Sequence, residues 1–208
     1  MNSRTAGLLL IIGPIVTVVF AMLGPLGPIS YSGDWSDTPA VLAAIGGNAE
    51  WGKYSFFLTS VGLVATALGV SYLRQTISDS TWINLGVVII LLSIPGIIAE
   101  SALLGGAGNA ASQGQAGLGT AASLYGAGQA IGAASTAAFM FGMGIIGIGL
   151  YIKKSFNAVF TLLLTIVGII GVILCLYDYG SILMIIPYLG GSILEIVLGV
   201  LIIRGAKT

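Results

Sequence analysis

An all-α polytopic bundle of six transmembrane helices is the fold this sequence predicts, and three observations carry the prediction. Apolar runs of about 18 or more residues, the length a helix needs to cross a bilayer, recur along the chain. Only seven basic and seven acidic side chains occur in 208 residues, too few to cover a soluble domain of that size. The runs are continuous rather than alternating over short segments. In hydrocarbon, where backbone polar groups must bond internally, that pattern selects helices over a closed barrel.

The first span, 6–26, contains Pro14 in the run LIIGPIVTVVFAM. It is longer than the apolar core of a signal peptide, and Pro and Gly rather than a small-residue cleavage site follow it, so it is expected to stay on the chain. The connection to the second span is the longest charged loop. Within it, SDTPAVLAAIGG places a capping residue just before Pro39, which predicts a short helix on the membrane surface or across the bundle mouth. The second span is 52–72 and the third, holding Pro95, is 82–104. The uncharged loop GGAGNAASQGQAGLG follows, flexible by composition although its alanines permit an early start to the next helix. The fourth window, 118–151, exceeds one straight crossing and is expected to begin outside the membrane or to tilt. The last two spans are 156–176 and 181–203, the latter with Pro187 near its start. The whole chain reads as one domain.

Basic residues orient the bundle. With the N-terminus inside, Arg4, Arg74, Lys153, Lys154, Arg204 and Lys207 all fall on the cytoplasmic side and only Lys53 falls outside. Six spans then leave both termini cytoplasmic. Tyr31, Trp35, Trp51, Tyr54, Tyr125, Tyr177 and Tyr179 mark the outer boundary, and Tyr72, Trp82 and Tyr151 the inner one.

Several functional classes find no support in the residues. There is no histidine, and the one cysteine, Cys175, lies within an apolar run as a small buried hydrophobe. No metal site and no cofactor are expected. Catalytic constellations such as a nucleophile elbow or paired aspartates are absent from the sequence, so a non-enzymatic protein is expected. No basic cluster points to nucleic acid, which leaves the lipid bilayer as the evident partner.

Small residues crowd the fourth span. Gly128 with Gly132, and Gly126 with Ala130, stand four apart and let another helix approach closely. The same pattern serves packing inside the bundle, a homodimer seam, or contact with another membrane subunit. Gly168, Gly171, Gly190, Gly191 and Gly199 point to tight packing in the last two spans.

Two carboxyl groups stand out: Glu100 in IPGIIAESALLG and Glu195 in GGSILEIVLGVLI. An acid inside the hydrocarbon costs a few kcal/mol, so it is expected to face the bundle and to have a partner. From the predicted span ends, Glu100 lies about 6 Å below the outer boundary and Glu195 about 12 Å above the inner one. Lys53 or Gln129 is the expected partner of Glu100, and Ser192 or Arg74 that of Glu195. Each group is a helix clasp, or a binding or proton-exchange site.

The segments RTAGLLLIIGPI, PAVLAAIGGNAEWGKYSFFLTSVGLVATALGVSYLRQTI and LEIVLGVLIIRG together resemble the DUF4386 family of small bacterial and archaeal membrane proteins. The resemblance implies six spans in a prokaryotic plasma membrane, with acids in the third and last helices before a terminal basic residue. Glu100, Glu195 and Arg204 stand at those places. Members often carry an arginine shortly before the third-helix acid, and PGIIAE has none. The family brings no assigned activity. The sequence therefore leads to the expectation of a non-enzymatic structural or accessory subunit of a membrane assembly. The alternative is a transporter or carrier of a small molecule, proton-coupled through Glu100 or Glu195.

Overall fold

The computed structural model describes residues 2–77 and 79–205; Lys207, counted above among the inner cations, lies outside them. The described residues form seven α-helices and no strand: α1 Ser3–Leu23, α2 Thr38–Gly47, α3 Ala49–Thr76, α4 Thr81–Ala111, α5 Leu118–Lys153, α6 Ala158–Asp178 and α7 Ile185–Gly205. All but α2 are long and apolar enough to cross a membrane. The chain is an integral membrane helix bundle.

Local chemistry sets the helix ends. Asn2, Asp37, Ser80 and Asn157 each accept a hydrogen bond from a backbone N–H of the first turn they precede, at 2.8, 3.1, 3.4 and 2.8 Å. Asp37 and Pro39 start α2 where the sequence placed it, and α2 packs across the ends of α4 and α5. The helix α5 stops at Lys154, which adopts a left-handed conformation at φ 52° and returns its N–H to the last carbonyls. Gly114, at φ 66°, turns the chain between α4 and α5.

Two predicted boundaries move. The α4 helix runs on to Ala111 rather than ending near 104, because the alanines of the expected flexible loop continue it. The α5 helix is one unbroken rod of 36 residues. At 1.5 Å per residue these helices are about 46 and 54 Å long against about 30 Å of hydrocarbon, so their joined ends stand beyond the membrane. With α2 they form a small extramembrane cap, packed through Val41, Leu42, Ile45, Ala110 and Ala121.

The six long helices close into a ring, each touching its neighbours in the order α1, α3, α4, α5, α6, α7 and back to α1. Arg4, Arg74, Lys153, Lys154 and Arg204 gather at one end, here the basic end, and Lys53 lies at the other, with Asp34, Asp37, Glu50 and Asp178. Near the basic end, side chains from all six helices fill the ring, among them Leu10, Leu73, Ile83, Leu150, Phe160 and Ile202.

Glycines set the distance between the helices. A Cβ on Gly142 would stand 2.8 Å from the Gly86 carbonyl oxygen, and one on Gly86 would stand 2.7 Å from that of Gly142, so α4 and α5 meet backbone to backbone. Gly7 and Gly199 make a reciprocal crossing of α1 with α7, both at 2.6 Å. Such contact replaces the hydrophobic driving force that is missing between helices in lipid.

Across the basic face, Lys153 Nζ donates to Asp79 Oδ2 at 2.6 Å, joining the α3–α4 turn to the end of α5. The lysine's hydrogen bond and charge hold the Asp79 carboxyl below its ordinary value of 3.8. A carboxyl lowered in the folded state stabilises above its unfolded pKa and loses that contribution as pH falls through the folded value. Asp79→Asn should therefore lower the thermal midpoint slightly at neutral pH, less in high salt, and not at all in strong acid. Thermal scans of both proteins in detergent check this.

Substituting at the crossings tests the packing. Gly142→Leu should cost about 1–3 kcal/mol or more through overpacking. Gly126→Leu, whose position meets no atom within 4 Å, should unfold like the parent. Equilibrium unfolding in mixed micelles distinguishes the two.

Candidate functional site

Above the apolar plug, both intramembrane acids line a partly open cavity of about 260 Å³ between the helices. That volume exceeds many times what a single water needs. Its floor is formed by Thr17 on α1, Leu63 on α3, Met143 on α5, Leu164 on α6 and Glu195 on α7, the residues nearest the plug that line it on those helices. Its roof comes from the α1–α3 connection, through Leu26, Pro28 and Trp35, and from Val41 of α2. Most of the wall between is apolar.

Glu100 projects from α4 and is buried, with 9% of its surface exposed. Its carboxylate Oε1 accepts a hydrogen bond of 2.8 Å from the Tyr179 hydroxyl, at the end of α6. That hydroxyl also lies 3.2 Å from Thr136 Oγ1 on α5 and 3.3 Å from Tyr188 Oη on α7. One polar knot thus ties four helices together. Gly132 makes room for it, since any Cβ there would run into the Glu100 carboxyl group. A carboxyl among neutral hydroxyls avoids burying a second ion, the expensive part of a buried ion pair.

Glu195 is held differently. It is 5% exposed and lines the cavity floor, and among the described residues it has no hydrogen-bond or ion-pair partner. Its side chain ends in the cavity rather than in a contact.

The expected partners are not the observed ones. Lys53 Nζ donates to Glu50 Oε1 at 2.7 Å, three residues back on its own helix. It lies on the face of α3 that borders Gly105, Gly106 and Asn109 of α4, more than a turn beyond Glu100, whereas Phe56, Thr59 and Leu63 of the adjacent face meet the cavity. The α4 helix runs eleven residues, about 16 Å, beyond Glu100, against the four residues of the predicted span. Arg74 is exposed at the basic end and is cut off from Glu195 by the plug. Gln129 and Ser192 do line the cavity, but among the described residues neither bonds to an acid.

Gly128 and Gly132 face α4, against Leu103, Leu104 and Glu100, while Gly126 and Ala130 are exposed. Cys175 is a free buried thiol with its Sγ 4.0 Å from Met184 Sδ. Among the described residues no three His, Cys, Asp or Glu side chains lie close enough to hold a metal ion.

Sequence reasoning passed over Thr136 and Tyr188 and took Tyr179 for a boundary aromatic. One signal was available: Tyr188, Ser192 and Glu195 are spaced four and three apart, so they share a face of α7. Nothing comparable announces Thr136 in an alanine-rich helix. No family model matches the chain, and neither the curated proteins nor the solved structures contain a match to it.

Tyr179→Phe should cost about 1–3 kcal/mol by leaving a buried acceptor unsatisfied. In Glu100→Gln the same change should cost measurably less, and a double-mutant cycle by unfolding in micelles reads the coupling.

Proposed function

We propose that this protein is a carrier for a small molecule that occupies the cavity between the six helices, in a prokaryotic plasma membrane, and that it performs no chemistry on its cargo. The observation that supports this reading best is Glu195, a buried carboxyl that lines the cavity and has no partner among the described residues. Where a clasp alone is needed, the Glu100–Tyr179 knot already supplies it. Ligand pockets combine a mostly apolar wall with a few placed polar groups, as this cavity does. An intramembrane acid facing such space belongs by default to a substrate or ion path.

The plug gives the carrier reading its working cycle. A cavity roofed by a loop and a short helix, and sealed at the basic end by side chains alone, suits an alternating-access cycle in which the roof and the plug part in turn. Proton coupling, through Glu100 or Glu195, belongs to the same proposal. So does membership of the DUF4386 family, which rests on the segments quoted above.

A second reading, an accessory subunit of a membrane assembly, draws on the exposed small-residue face of α5 at Gly126 and Ala130. It leaves the cavity without a use.

Cysteine accessibility tests the carrier. In a Cys175→Ala background, Ser192→Cys should react with a water-soluble thiol reagent supplied at the acidic end. Ile202→Cys, in the plug, should react from the basic end in part of the population. Complete protection of the plug position under all conditions argues for a static bundle and against transport.

A further inference from the structure

Resting on the reading of the cavity as a ligand site, we infer that its ligand is a small amine with an apolar body, its protonated nitrogen held by Glu195 on the floor. The charge balance is the first argument. Among the described residues the cavity wall carries two acids, Glu100 and Glu195, and no lysine or arginine. Glu100 already accepts from Tyr179 through Oε1, whereas Glu195 has no partner among the described residues and is the acid more in need of one from a ligand. Truncated or unpaired, a buried charge is costly, and a cation brought by the ligand relieves that cost.

The surroundings of Glu195 decide which cation. The other residues of the floor are Leu63, Met143, Leu164 and Thr17, and Ser192 stands one turn along the same helix as Glu195. A metal ion such as calcium requires six or more oxygen ligands, and magnesium keeps a full octahedron. This floor offers nothing like that number. An ammonium group needs only one carboxylate and a neighbouring hydroxyl, and the carbon body attached to it gains from the apolar wall. Farther up, Phe56, Phe139 and Tyr188 line the cavity, aromatic side chains of the kind that attract a cation or an aryl group.

The shape of the ring also favours an amphiphile. The helices α1 and α7 cross tightly at Gly7 and Gly199, near the basic end. Beyond that crossing, Val18, Ala21 and Met22 on α1 and Ile185 and Leu189 on α7 all line the cavity. The α6–α7 seam is the thinnest in the ring.

The test uses the full chain in nanodiscs of zwitterionic lipid with three probes of matched size: benzylamine, benzyl alcohol and benzoate. Benzylamine should bind about tenfold more tightly than the alcohol, and benzoate least. Glu195→Gln should abolish the preference for the amine while the alcohol still binds. Gly191→Phe should block every probe by filling the cavity, since the site of its Cβ has only Val167 Cγ1 nearby, at 3.9 Å. Equal binding of amine and alcohol, both blocked by Gly191→Phe, overturns the cation assignment and leaves the cavity reading standing. Binding of no probe, or binding that Gly191→Phe leaves untouched, overturns the cavity reading and the assignment with it. Where Glu195→Gln yields no folded protein, the wild-type ranking decides: any order other than amine, alcohol, benzoate counts against the inference.

Discussion

A carboxyl group inside hydrocarbon has to be turned away from lipid, and in this protein that requirement shapes the middle of the bundle. A ring of six helices has an inside face on every member, and the two intramembrane acids occupy that inside from α4 and α7. They meet the cost of burial in opposite ways. Glu100 accepts from the Tyr179 hydroxyl, which in turn meets the hydroxyls of Thr136 and Tyr188, so that its burial and the joining of four helices are one arrangement. Glu195 is shielded from lipid by its neighbours but left facing open space. The difference between a bonded acid and an unbonded one in the same cavity is the main functional signal in the molecule.

The ring could not close so tightly without its glycines. In lipid the apolar surfaces of helices gain little by leaving their surroundings, so association depends on close van der Waals contact. The crossings at Gly86 with Gly142 and Gly7 with Gly199 bring backbones together at two seams, and Gly132 extends the same logic to a side chain by leaving space for the Glu100 carboxyl. Small residues in α5 therefore do two separate jobs. Some set the distance to α4, and one receives a polar group.

Along the ring axis the filling changes character. Toward the basic end, leucine, isoleucine and phenylalanine side chains from all six helices meet in a dry plug. Toward the acidic end the inward side chains, Phe20, Phe56 and Tyr188 among them, line a cavity instead of filling the ring, and a loop and α2 cover it. One end is thus a packed seal and the other a covered chamber.

Much of this was legible from the residues in order. Hydrophobic run length and scarcity of charge determined a six-helix membrane bundle, because the transfer cost of each segment into hydrocarbon is a local property. The same is true of the short helix α2, announced by Asp37 and Pro39, and of the distribution of cations between the ends. Pairing across the bundle was not legible. Whether Glu100 meets Lys53 or Tyr179 depends on how far each helix extends, how it is rotated and where it crosses its neighbours. The α4 helix runs eleven residues beyond Glu100 where the predicted span had four, an extension of just under two turns. The rotation of α3 turned Lys53 off the cavity face, and residues 79 positions apart, Glu100 and Tyr179, were brought within hydrogen-bond reach. Tertiary packing alone decided that both acids share one cavity and that, among the described residues, only one of them has a partner, because those facts depend on lateral distances between helices that no local pattern in the chain encodes.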